Sequence, residues 1–188
     1  MLQINIIMNK IFILLILPLF VLSANKDKAT ASARQIHNTL KIRKIISPNK
    51  KYFALITTYH FKSNGSSESK IEIFSSSNKP VAFENFISKD HNHGMEIIKT
   101  AWTHDSKFFV FNGVLQGGHQ PGHLPTYFFS IKSSKIQPLD PLVGIWITGN
   151  FNILSNDRLS VQIKEGLPNG SINDSLVKKI DLKDLKRK

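Results

Sequence analysis

Five of the chain's seven histidines fall between positions 91 and 123: His91, His93, His104, His119 and His123. Neutral imidazole is the commonest protein ligand for zinc and also takes copper and nickel, so three rings gathered at one end of a fold would make an open tetrahedral site. His91 and His93 stand two apart beside Asp90, and His119 and His123 stand four apart. Pro121 and Gly122 break any helix across the second pair, which excludes the helical zinc motif with both rings on one face. The candidate metal ligands are therefore His91, His93, His119 and His123, with zinc as the metal. The same residues allow a plainer reading, in which the histidines satisfy loop backbone, Gly117, Gly118 and Gly122 supply positive φ, and Pro121 and Pro125 stiffen the tip. They allow a third, a small-molecule or glycan pocket lined by Trp102, His119, His123 and Tyr127.

Catalytic patterns are otherwise missing. The sequence holds no GxSxG elbow, no phosphate-binding Walker loop and no dinucleotide glycine pattern. It has no cysteine, which rules out a thiol nucleophile, a disulfide framework and cysteine metal sites. Asp105 adjoins His104 in the stretch THDSK, but an aspartate there most simply bonds its own turn amides. No residue is assigned a catalytic role, and enzyme activity is left open, with a non-enzyme as the first expectation and a metal-dependent enzyme as the alternative.

The elements that must position these side chains read as strands. Phe108 to Phe111 and Thr126 to Phe129 are aromatic or β-branched and flank the His/Gly/Pro loop, giving a hairpin with a long tip. Upstream, Thr39 to Ile46 alternates apolar and basic residues, the pattern of a strand with one face to water. SPNKK is a turn, YFALITTY a second strand, SNGSSES a polar loop, KIEIF a third strand and PVAFENF a fourth. The plan then starts again with MEIIKTAW, THDSK and FFVFNGV. Lys51-Tyr52 and Lys107-Phe108 are 56 residues apart, and Arg158-Leu159 repeats the step 51 residues later. Self-similarity at such a period means repeated supersecondary units.

SPNKKYFALI with KIEIF-SSSNK, and WTHDSKFFVF with YFFSI-KSSK, resemble the blade repeat of TolB-type and WD40-like β-propellers. There a turn rich in Ser, Pro, Asp and Gly precedes an apolar strand, and the next strand ends in a short polar turn. The loop GGHQPGHLPTYFF is also similar to exported bacterial proteins of no assigned function. The resemblance implies an all-β fold of two to three blade-like, four-stranded antiparallel meanders, an incomplete propeller or a small β-sandwich. Closed propellers use at least four blades, so these units must pair with another copy or close on themselves.

Residues 1–24 carry Lys10, an apolar run from Ile11 to Leu22 and small residues at Ser23 and Ala24, the layout of a secretory signal peptide. Residues 25–38 form a polar arm, 39–182 the repeat domain in units of about 39–86, 95–140 and 144–182, and 183–188 a basic tail. The expected location is exported, periplasmic or secreted. Beyond the leader 24 basic residues face 13 acidic ones. An exported basic protein meets anionic lipid or polysaccharide rather than nucleic acid. Three functions follow: a non-catalytic binding or protein-interaction module, engaging a protein, an envelope glycan or another anionic surface; a metal carrier or metal-dependent enzyme using the loop histidines; or a structural partner in an envelope assembly, including with its own copies. No cofactor is expected outside the metal reading.

Overall fold

A computed structural model describes residues 39–117, 122–143, 146–166 and 172–185. The expected signal peptide and arm, His119 and the last three residues lie outside them. The described chain is built from strands β1 (Thr39–Ile46), β2 (Tyr52–Phe61), β3 (Ser66–Ser75), β4 (Pro80–Asn85), β5 (Met95–Trp102), β6 (Phe108–Leu115), β7 (Thr126–Ser130) and β8 (Lys135–Pro138). A single turn of helix, α1 (Asp140–Val143), precedes β9 (Trp146–Ile147), β10 (Asn152–Ile153), β11 (Leu159–Gly166) and β12 (Ile172–Ile180). They form three antiparallel four-stranded sheets: β1-β2-β3-β4, β5-β6-β7-β8, and β11 flanked by β12 on one side and by β9 and β10 on the other. The fold is all-β, in three sheets of the expected kind.

β6 explains how the sheets meet. Its start, Phe108–Phe111, is apolar without alternation, as a strand buried on both faces requires. Phe109 and Phe111 pack with Ala54, Ile56, Ile71 and Ile73 of the first sheet. Phe108 and Val110 point the other way, into Phe151, Leu159, Val161 and Ile180 of the third. The second sheet is the shared wall of two cores.

Three departures from the sequence pattern have physical causes. Ser66 to Ser69, expected in a polar loop, are buried strand, because their polar groups find partners: Thr58 and Ser69 hydroxyls lie 2.9 Å apart and His60 Nδ1 is 2.5 Å from Ser67 Oγ. The unit expected over 144–182 opens with two short strands, β9 and β10, which pair different ends of β11. The third departure concerns β1, where the apolar residues Leu40, Ile42 and Ile46 are exposed and Arg43 turns inward. There its guanidinium donates to the carbonyls of Ile97 and Ile98 at 2.6 and 3.5 Å, at the bulge in β5.

The repeated turns are tied end to end. Lys50, Ser106 and Asp157 each hold a positive φ, of 58°, 61° and 62°, and each donates its amide to the residue three before it. Asn49 N donates to Ser106 Oγ at 3.0 Å, and His104 N donates to Asp157 Oδ1 at 2.5 Å, so each turn bonds the next sheet's turn. Asp157→Ala removes the acceptor of two backbone amides, those of His104 and Asp105, and puts a Cβ-only side chain at positive φ. Denaturant unfolding is expected to show a loss of about 1–3 kcal/mol, with Asp157→Asn, which tolerates that φ, restoring most of it.

Candidate functional site

Each described histidine of the cluster stands next to its own carboxylate. His93 Nδ1 lies 2.5 Å from Asp90 Oδ2, and His104 Nδ1 3.2 Å from Asp157 Oδ1. His123 Nε2 lies 3.0 Å from Asp140 Oδ1, and His91 Nδ1 3.9 Å from Glu68 Oε2. The structure brings His91 and His93 together on the linker from β4 to β5. It sets His123 in a different cluster, where Asp140 also accepts from the amides of Thr126 and Ile147, both at 3.1 Å. That carboxylate ties the second sheet to β9. The linker also meets the start of the long loop: Gln116 N donates to Gly94 O at 2.8 Å, and a Cβ on Gly117 would sit 2.4 Å from the Asn92 carbonyl. Among the described residues no three His, Asp or Glu side chains gather at one point as metal ligands.

Glu68 is the organising group of this linker, and sequence reasoning missed it. It is fully buried in β3 and accepts from Ser88 N at 2.9 Å, Ser88 Oγ at 2.7 Å and Gly94 N at 2.7 Å. Gly94 must lack a side chain, since a Cβ would approach the Phe86 carbonyl to 2.2 Å. His91 closes the end of the cluster, with its ring stacked on Phe61 at 4.1 Å and its carbonyl accepting from Asn64 Nδ2 and Ser66 Oγ. In the string SSES the signal was present, as a carboxylate inside a run of small hydroxyls that can line a buried strand.

The two aromatic candidates lie at opposite ends of one face of the second sheet. Trp102 is 7% exposed and donates its indole N–H to Ile45 O at 3.2 Å, so it joins the first two sheets. Phe109 and Phe111 follow it, and Tyr127 stacks on Phe111 at 5.4 Å. Tyr127 lines a shallow hollow of about 260 Å³ with His93, Phe86 and Leu115, and Trp102 does not. Burial raises the Tyr127 phenol above its ordinary pKa, and the charges of Asp140 and Glu84 add to that.

A larger feature was not foreseen. Where the second and third sheets part, a cleft of about 930 Å³ is floored by Phe108, Phe128, Leu182 and Leu185. Lys107, Lys132, Lys135 and Lys183 stand around it. Asp105 partners two of them, Lys107 at 3.0 Å and Lys183 at 3.7 Å. Burial alone would raise the Asp105 carboxyl, but the Lys107 amide, the Thr103 hydroxyl and the Lys107 ammonium outweigh it and hold the pKa below its usual value. The four lysines are spread over 76 residues of sequence, so only the fold assembles them.

No family model matches the chain, and no curated protein matches it. Among solved structures it is similar to the β-propeller domain of the Trilobed protease from Pyrococcus furiosus, which has an open velcro topology. The identity is 14% and the TM-score 0.28, over 77% of this chain and 57% of that one. The chain thus spans little more than half of that domain. Its class, an all-β protein of three antiparallel sheets, rests on its own strand pairing.

Two outcomes test the linker. Glu68→Gln leaves one of the three donors facing an amide NH₂, and unfolding should show a loss of about 2–3 kcal/mol. Asp90, held down to about 2 from 3.8 chiefly by the hydrogen bond from His93, should titrate there by carboxyl NMR, and His93→Ala should return it toward 3.8. A depressed carboxyl favours the fold above its unfolded pKa, so this contribution is present above about pH 4 and is lost as the pH falls through about 2.

Proposed function

We propose that the chain is an exported, non-catalytic binding module whose ligand is an anionic amphiphile, taken into the cleft between the second and third sheets. The observation that carries this reading is the cleft's composition: four lysines around an apolar floor, with Asp105 the carboxylate that faces two of them. A volume of about 930 Å³ lies within the range of ordinary ligand sites, roughly 300–1,000 Å³. The floor offers a low-dielectric surface to an alkyl or ring body, and lysine stems extend it while their ammonium groups stay in water. An anionic head then gains charge attraction that a neutral head of the same size lacks.

The leader-like residues 1–24 support export, and the excess of basic over acidic residues suits an envelope rich in anionic lipid. In this reading the histidines and Glu68 serve the frame, and binding is left to the cleft.

Calorimetric titration with laurate and with dodecanol separates charge from chain. Laurate is expected to bind at least tenfold more tightly, and to weaken as salt rises. Lys132→Glu with Lys135→Glu, exposed in the β7–β8 turn and at the start of β8, should remove most of the difference while leaving unfolding unchanged. Equal affinity for the two ligands, or laurate binding untouched by the double variant, would sink the proposal.

A further inference from the structure

The outer face of the first sheet is apolar. Leu40, Ile42 and Ile46 of β1 and Phe83 of β4 are 51%, 58%, 57% and 58% exposed. The register makes them one surface: Ile46 lies opposite Phe53, which lies opposite Phe74, while Phe83 lies opposite Glu72. Phe53 and Phe74 stack at 5.2 Å in the middle of it. The charges on this face are satisfied within it. Lys44 Nζ sits 4.0 Å over the Phe53 ring, and Lys70 pairs with Glu72 at 3.3 Å. Lys70 and Glu72 can be covered as a pair, and Lys44, on the edge strand β1, keeps its ammonium over the Phe53 ring.

The other end of the stack differs. On β11 and β12 of the third sheet, Ser160 lies opposite Lys179 and Gln162 opposite Val177, so the described outward positions are polar but for Val177. Repeat proteins end in units with a polar outer face, and units without one are covered by a neighbour. The described positions of β11 and β12 form such a face, and β1 and β4 of the first sheet do not.

We infer that the outer face of the first sheet is the contact surface for a second copy of this chain, related by a two-fold axis, so that two first sheets pack face to face. A head-to-tail contact would set Leu40 and Ile42 against Lys179, bury an ammonium in an apolar surface, and leave an open apolar face to propagate. A two-fold contact matches apolar to apolar and ends at both polar sheets. At the Leu40 end the linker covers this face, since Glu68 shares it with Leu40 and Tyr59 and is fully buried. The three remaining rows, on four strands about 4.8 Å apart, present roughly 400 Å². The pair would bury on the order of 800 Å², the size of a weak, exchanging dimer.

Sedimentation equilibrium of the protein as purified from its producing cells should give twice the chain mass at micromolar concentrations and above. Ile42→Glu and Phe83→Glu should each raise the dimer dissociation constant roughly 30-fold or more, and Val177→Glu, at the other end, should leave it unchanged. Hydrogen exchange on the unaltered protein supplies a readout that no variant can confuse: protection of β1 and β4 amides should rise with protein concentration. A monomer at all concentrations overturns the inference. So does protection of β1 and β4 that is already complete on dilution, which would give the face to residues of its own chain. A dimer insensitive to both glutamates, or one broken by Val177→Glu, overturns it as well.

Discussion

Burial of the second sheet on both faces is the constraint on which the molecule depends. β6 sends Phe109 and Phe111 into one core and Phe108 and Val110 into the other, so neither core is complete without this strand. An ordinary antiparallel strand has one wet face and tolerates polar residues at every second position. This one cannot, over the length it shares with both neighbours. Even its Asn112 is fully buried. The aromatic run is therefore the price of stacking sheets rather than leaving one to solvent.

The polar groups follow from that arrangement. Chain passing from one stacked sheet to the next must cross an edge, where backbone amides leave their ladders and need other acceptors. Carboxylates supply them: Glu68 for the linker into the second sheet, Asp140 for the passage toward the third, Asp157 for the turns of the second and third sheets. The histidines cluster in sequence because these crossings do, and each described one, His91, His93, His104 and His123, stands beside a carboxylate already bound to backbone. A group so engaged is poorly placed to reorganise around a ligand. Binding chemistry is then best sought where the sheets splay, in the cleft lined by Phe108, Phe128, Leu182 and Leu185.

Much of the fold was legible in the sequence, and for physical reasons. A repeat of 56 residues, strands of β-branched and aromatic residues, and turns rich in Ser, Asn and Asp are local signals. The continuous run FFVF marked a buried strand. What was not legible depended on partners distant in the chain. Ser66 to Ser69 read as loop because nothing local shows that Thr58 and His60 will meet their hydroxyls. Glu68 read as one more polar residue of that loop. The lysines of the cleft, from Lys107 to Lys183, lie in separate turns and a tail, so no spacing rule relates them. Trp102 was recognisable as a large aromatic at a strand end, but its bond to Ile45 needed the first sheet in place.

The sidedness of β1 was the least legible feature, and it has a cause. The alternation Leu40, Lys41, Ile42, Arg43 suggests an apolar face turned inward, yet a shift of one residue inverts every side chain of a strand. The bulge between Ile97 and Lys99 in β5 decides which face wins. It leaves the carbonyls of Ile97 and Ile98 turned toward the first sheet, and the amide of Ile97 donates to Ser69 Oγ at 3.1 Å. Two neighbouring carbonyls call for a donor with a broad fork, and Arg43 is the residue of β1 that has one. Once Arg43 points inward, period two sends Leu40, Ile42, Lys44 and Ile46 outward together. The exposed apolar face is thus tied to the satisfaction of the bulge in β5. Polar residues at Leu40, Ile42 and Ile46 would keep that bond and cost the monomer little, so the inferred two-fold contact is where their apolar character would act.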